Sequence, residues 1–298
     1  MNYREKRFSI DGHEALLQLY LWEELRQHDM GGGKRPLILI CPGGGYSFVA
    51  GDENQTMAFQ FLPWGYHTAV LHYSVRPAAW PVQLHQLALA VALIREQAEE
   101  WLIDPEKIVV MGFSAGGNLA GELGVHWQEK ALADRLGLDS AAIRPNALVL
   151  GYPVLALDRY PENVTGNIDA AERRRRTAAL KPGSAEADAP VRYVSEFTPP
   201  TFLWHTYEDK TVPVESSLLF AEAMIAHRRP VELHVYEKGP HGLCLATPVS
   251  ENHNGLVNAS AALWTRQLRI WLSELFGESG GDGIPLYDRS RYIGRPAK

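Results

Sequence analysis

Short, continuous apolar runs alternate along the chain with longer stretches of helical period. "LILIC" (37–41), "HTAVLHYSV" (67–75), "KIVVMGF" (107–113), "NALVLGYP" (146–153), "PTFLWHTYE" (200–208) and "VELHVYEKG" (231–239) are bounded by Gly, Pro or Asn. They lack a polar face, as expected of strands covered on both sides. From Pro81 to Glu100, apolar residues recur at Leu84, Leu87, Ala88, Val91, Ala92, Ile94 and Ala98, which predicts a helix with a core-facing stripe. Pro213 opens a second helix reaching about Arg228, and "SAALWTRQLRIWLSELF" (260–276) predicts a third. Such alternation implies an α/β fold, a mostly parallel sheet with helices on both faces. The earlier "RFSIDGHEALLQLYLW" alternates more strictly and suits an antiparallel edge strand.

Two segments break the rhythm. Residues from about 156 to 198 are rich in Asp, Glu, Arg, Pro and Ala, too long for a plain connection. With a short helical stretch near Ala170–Leu180, they suit a cap over a site or a dimer-forming insertion. The tail after Gly277 reads as loosely held, with Tyr287 and Tyr292 as residues able to dock it. There is no internal repeat and no linker between autonomous halves.

The chain has 298 residues, 46% hydrophobic and 21% charged, which permits a large core. A formal charge of −6 argues against nucleic acid or an anionic membrane as a partner. The basic block Arg173-Arg174-Arg175-Arg176 reads as a solvated helix face. Two cysteines, Cys41 and Cys244, provide no disulfide framework. "LLQLYLW" is too short to span a bilayer and is followed at once by Glu23-Glu24, so no signal peptide or membrane segment is expected and the expected compartment is the cytoplasm.

The chemistry centres on "IVVMGFSAGGNLAG" (108–121), where a strand runs into Gly112-Phe113-Ser114-Ala115-Gly116-Gly117 and then a small-residue helix. A G-x-S-x-G turn between strand and helix places a serine hydroxyl above the carboxyl edge of the sheet. The glycines let strand and helix approach closely, and the helix N-terminus aims its free N–H groups at the reacting centre. Serine is a poor nucleophile at neutral pH and needs a base, which a carboxylate must orient. In this setting the partners follow in the order serine, acid, histidine. Asp209 lies past the end of the "PTFLWHTYE" strand, beside the rival Glu208. His241 lies in Gly239-Pro240-His241-Gly242 after the next strand. His72, His205 and His234 lie inside strands and read as interior or sheet-face residues, and His67, His85, His126 and His227 as surface positions.

"CPGGGYSF" (41–48) follows the first buried strand and offers backbone N–H groups unobstructed by side chains. Gly44, Gly45 and Ala115 are the expected oxyanion donors, within one position in the glycine run. Tyr46, Phe48, Trp80 and Tyr152 follow strand ends and are candidates for stacking on a sugar, although core packing explains them equally well. No His-Glu-x-x-His or paired-cysteine spacing suggests a metal, and no Walker or Gly-x-Gly-x-x-Gly loop suggests a nucleotide.

These motifs, together with "VLHYSVRP", "WPVQLHQLALAVALIREQAEEW", "IDPEKIVVMGFSAGGNLA" and "HGLCLA", make the chain resemble the α/β-hydrolase superfamily. Within it, the resemblance is to the esterase/lipase-like branch containing acetylxylan-esterase-like and feruloyl-esterase-like carbohydrate esterases, over roughly residues 35 to 276. It implies one α/β-hydrolase domain over 1–298, with the cap or insertion at 156–198 and the tail at 277–298. It further implies a serine carboxylesterase without metal or cofactor, acting on short acyl esters, often of sugars. A small amide hydrolase such as an arylformamidase fits the same constellation, whereas a hydrolase-like binding protein would ordinarily lack one of the three residues. A small-molecule ester is the expected partner, and a homodimer is compatible with the insertion. Pro42 stands where the related lipase branch carries His. Gln86 stands where many relatives carry an acid, a position read here as structural.

Overall fold

The computed structural model describes residues 1–23, 33–156, 189–250 and 256–277. Most of the expected cap (156–198), its helical stretch, the four-arginine block and all but the first residue of the tail lie outside them.

Eight strands form one sheet: β1 (Asn2–Ile10), β2 (His13–Leu21), β3 (Arg35–Cys41), β4 (His67–His72), β5 (Ile103–Phe113), β6 (Ala147–Gly151), β7 (Thr201–Thr206) and β8 (Val231–Tyr236). Their spatial order is β1-β2-β4-β3-β5-β6-β7-β8. β2 runs antiparallel to both neighbours, and every other pairing is parallel. The segment expected as one edge strand is instead a hairpin. Asp11 and Gly12 both take positive φ (55° and 77°), the geometry of the Asp-Gly two-residue turn that matches strand twist. Each of the six apolar runs contains a strand. β3 is buried from Pro36 to Cys41, β6 and β7 along their whole length.

Helices α1 (Gln55–Phe61), α2 (Val82–Glu96), α3 (Ala115–His126), α4 (Lys130–Leu136) and α5 (Glu215–Ala226) connect the strands. α1 and α4 have seven residues each, too few to show a helical period in sequence. His67 and His85, expected at the surface, are buried. His67 opens β4, where its Nδ1 accepts the Trp22 amide at 3.0 Å, and His85 Nδ1 lies 3.1 Å from Asp11. Gln86 is wholly buried. Its oxygen accepts the Ser74 amide at 2.7 Å and its nitrogen donates to Ser74 Oγ and His13 O. It joins β2 to the segment after β4, a structural task that needs both a donor and an acceptor.

The chain divides into two compact units, Met1–Ala262 and Leu263–Lys298. In the second, α6 (Trp264–Phe276) buries Trp264, Leu268, Trp271 and Leu272 and ends on Gly277 at φ 68°. The buried positions recur at helical spacing, as one stripe. No helix among the described residues is long and apolar enough to cross a membrane.

Strand register sets the stage for the site. Cys41 pairs Gly112, Phe113 pairs Gly151, Gly151 pairs Trp204 and Thr206 pairs Tyr236. The loops after β3, β5, β6, β7 and β8 therefore open at one edge, the carboxyl edge where parallel sheets bind ligands.

Candidate active site

Ser114 sits between β5 and α3 at φ 52°, ψ −117°. A non-glycine residue there is strained, and such strain persists only where the surroundings over-determine it. Here they do so by hydrogen bonding: the Ser114 amide donates to Gly151 O (3.0 Å), and Ser114 O accepts from Asn118 N (3.0 Å) and Val154 N (3.3 Å). A Cβ on Gly112 would lie 2.1 Å from Gly116 O, and one on Gly116 would lie 2.0 Å from Cys41 O. Both glycines are therefore required by close approach of backbone to backbone. Gly116→Ala should destabilise the protein by about 3 kcal/mol or more, because the obstructing atom is a main-chain oxygen that cannot rotate away. Urea unfolding monitored by circular dichroism checks this, against unfolding of the wild type.

The three residues singled out for acyl chemistry converge. His241 Nε2 is 2.8 Å from Ser114 Oγ, and His241 Nδ1 is 2.6 Å from Asp209 Oδ2. Facing a carboxylate, Nδ1 carries a proton, which leaves Nε2 to accept from the serine hydroxyl. Asp209 Oδ1 accepts the amides of Thr211 and Val212, each at 2.9 Å. Burial pushes the Asp209 carboxyl up, but hydrogen bonds from His205 and His241, and their charge, hold it well below the ordinary carboxylate range. The rival Glu208 is exposed and accepts the Gly239 amide at 3.1 Å. It braces the histidine loop from outside.

His205 is a site residue that sequence reading left in the interior. It is wholly buried, its Nε2 2.9 Å from Val212 O and 3.3 Å from Asp209 Oδ2, its Nδ1 2.9 Å from Ser217 Oγ. Its i,i+4 spacing to Asp209 across the end of β7 was visible, but nothing local said that the chain would fold back.

In the glycine loop, the Gly43 amide donates to Glu53 Oε2 at 2.5 Å and is therefore spoken for. Gly44 has φ 119°, and a Cβ there would lie 2.0 Å from Phe48 O. Gly44 O accepts the amides of Ser47 and Phe48. Among the described residues, the amides of Gly44, Gly45 and Ala115 have no acceptor. Ala115 follows Ser114 directly, and Gly44 and Gly45 continue the loop from Gly43, where a Cβ would lie 3.0 Å from Ser114 Cβ.

Of the aromatic candidates, Tyr46 and Tyr152 are buried (1% and 2% exposed) and present no ring face to a ligand. Tyr46 donates to Asn118 Oδ1 at 2.9 Å, and Tyr152 donates to Glu53 Oε1 at 2.6 Å. Their roles are in packing and hydrogen bonding, not stacking on a sugar. Phe48 is 60% exposed, and Trp80 is half-buried with its ring 6.4 Å from that of Tyr46. Cys41 and Cys244 are both buried thiols outside any disulfide, and desolvation raises both far above their ordinary value. Neither is a nucleophile at neutral pH. Among the described residues no cluster of His, Cys, Asp or Glu is arranged to hold a metal ion.

The strand order, the reversed second strand and the serine turn at the carboxyl edge define an α/β-hydrolase. Residues 25–224 match BD-FAE, and the chain belongs to that family. It is 34% identical over 220 residues to the endo-1,4-beta-xylanase B of Butyrivibrio fibrisolvens, a match covering 72% of this chain and 33% of that protein. The chain spans between a third and a half of the length of three curated relatives it matches. The solved structure of the carboxylesterase Cest-2923 from Lactobacillus plantarum superposes with a TM-score of 0.81 at 28% identity, covering 94% of this chain and 100% of that one. An acetyl ester-xyloside bifunctional hydrolase from Caldicellulosiruptor lactoaceticus gives 0.71 at 31% identity, covering 89% of each chain.

Proposed function

We propose that this carboxylic ester hydrolase cleaves short-chain acyl esters, chiefly acetyl esters of small sugars or oligosaccharides, through an acyl-enzyme on Ser114. The observation that carries the reading is the continuous hydrogen-bonded line from Ser114 Oγ through His241 to Asp209, at 2.8 and 2.6 Å. His241 takes the proton as Ser114 Oγ attacks the ester carbonyl, and Asp209 stabilises the imidazolium that results. The amides of Gly44, Gly45 and Ala115 hold the tetrahedral oxyanion. His241 then protonates the departing alkoxide, and a water activated by the same imidazole hydrolyses the acyl-enzyme.

Likeness to an acetyl ester-xyloside hydrolase supports the acetyl and sugar parts of the reading. So does the exposed Phe48 ring on the loop that carries the oxyanion donors, since an aromatic face suits the apolar side of a sugar. Each methylene buried in an apolar pocket adds up to about 0.8 kcal/mol of binding, so a lipase would gain steadily with acyl length. Activity on p-nitrophenyl esters is expected to peak at two to four carbons. A maximum at eight carbons or beyond would overturn the short-acyl assignment. Acetylated xylo-oligosaccharides, feruloyl esters and N-formylkynurenine compared at equal enzyme concentration test the leaving group. Preference for the last would identify an amide hydrolase instead.

A further inference from the structure

Glu53 is a buried carboxyl that the proposed chemistry does not use. It lies just ahead of α1 and is 4% exposed. One oxygen accepts the Gly43 amide at 2.5 Å, and the other accepts the Tyr152 hydroxyl at 2.6 Å. Tyr152 Oη in turn accepts the Cys244 amide at 3.1 Å, three residues beyond His241, and the Tyr152 ring stands edge-on to that of His241 at 5.0 Å. Cys244 Sγ donates to Asp52 O at 3.2 Å, so the segment 52–53 meets the histidine loop once directly and once through Tyr152. A Cβ on Gly43 would fall 2.8 Å from Glu53 Oε2 and 3.0 Å from Ser114 Cβ, so only a bare glycine separates the carboxyl from the serine.

We propose, building on the ester-hydrolase reading above, that Glu53 is a positioning residue: its ionised carboxylate ties the glycine loop, the end of β6 and the histidine loop into one unit, setting the oxyanion donors and His241 relative to Ser114. A carboxylate suits this place because both groups that meet it are donors, and an acceptor-only partner satisfies both. Protonation puts a third hydrogen among them. Tyr152 Oη cannot readily accept it, because it already accepts from Cys244.

Burial pushes the Glu53 carboxyl up to about 7, against the lowering effect of the Tyr152 and Gly43 hydrogen bonds; the Asp52 charge raises it and His241 lowers it. Tyr73, Tyr152 and Cys244 also face it, and the Glu53 charge raises all three. The fold thus raises this carboxyl above its unfolded value of 4.5. Its ionisation therefore costs stability as pH rises from that value through about 7, and the cost is complete above. The site accepts that cost in exchange for a two-fold acceptor.

Glu53→Gln and Tyr152→Phe, singly and together, test the tie on p-nitrophenyl acetate, with Ser114→Ala in parallel. Each single variant is expected to lower kcat at pH 8 by about 10- to 100-fold, with KM within about threefold of wild type. The double variant should lose no more than the worse single one, because both cut the same tie. The acid limb of kcat/KM in the wild type should be steeper than one proton, and in Glu53→Gln it should follow one proton only. Wild-type kcat in folded Glu53→Gln, additive losses, or an unchanged acid limb each overturn the inference. If Glu53→Gln does not fold, wild-type kcat in Tyr152→Phe overturns it. Activity surviving in Ser114→Ala would instead bring down the reading of the site itself.

Discussion

Ser114→Ala is expected to lower kcat by about 10⁴- to 10⁶-fold, or about 5–8 kcal/mol of transition-state stabilisation, and to leave the fold intact. The fold survives because every bond that holds residue 114 is made by its backbone, to Gly151, Asn118 and Val154. The hydroxyl itself makes one bond, to His241 Nε2. Alanine removes that atom and leaves the free amides of Gly44, Gly45 and Ala115 in place, so a residue of non-covalent catalysis remains. Turnover of p-nitrophenyl acetate measures the loss. A fluorophosphonate followed by peptide mass spectrometry locates the nucleophile, with the adduct expected on residues 112–117 of the wild type and on none of the variant. Labelling elsewhere, or full turnover in the variant, would remove Ser114 from the mechanism.

How legible the site was in sequence depended on the range of the physics behind each residue. The serine turn is local: a strand, two glycines and a small-residue helix are contiguous, and the close approaches at Gly112 and Gly116 are contacts within that neighbourhood and the adjoining end of β3. Asp209 and His241 were findable because each follows a strand end, and parallel strands in register bring their carboxyl ends to one edge. Glu53 was not findable. It stands in the polar run "AGDENQ", which reads as a solvated loop ahead of a helix. Its burial arises only when β3, β5 and β6 pair and carry Gly43 and Tyr152 to it. Tyr46 and Tyr152 were ambiguous for the same reason, since a tyrosine after a strand end can face a ligand or a neighbouring loop, and here both face protein. The hairpin at Asp11-Gly12 is different. Its turn signal was present in the sequence, and the alternating pattern on either side drew the segment into one strand.

Asp209→Asn should cost on the order of 10⁴ in kcat, and Glu208→Gln should be mild. The expectation follows from which way an asparagine would be forced to sit. Asp209 Oδ1 accepts two backbone amides, from Thr211 and Val212, at 2.9 Å each. An asparagine that turned its amino group towards them would set donors against donors and leave buried N–H groups unpaired, at about 1–3 kcal/mol each. It therefore keeps its oxygen there and presents its amino group to His241 Nδ1, 2.6 Å from the atom it replaces. That nitrogen must now accept, so the imidazole proton moves to Nε2, which then donates towards Ser114 Oγ and cannot take its proton. The same amino group meets His205 Nε2, which carries a proton because its nearest partner is the carbonyl of Val212 at 2.9 Å. That contact, at 3.3 Å, is the donor–donor clash this orientation leaves. Glu208, by contrast, is exposed, and its oxygen on the Gly239 amide survives as the glutamine carbonyl. The pH profiles of kcat/KM for the two variants, beside that of the wild type, measure both losses. Equal losses in the two variants, or a larger one in Glu208→Gln, would assign the orienting carboxylate to the wrong side chain.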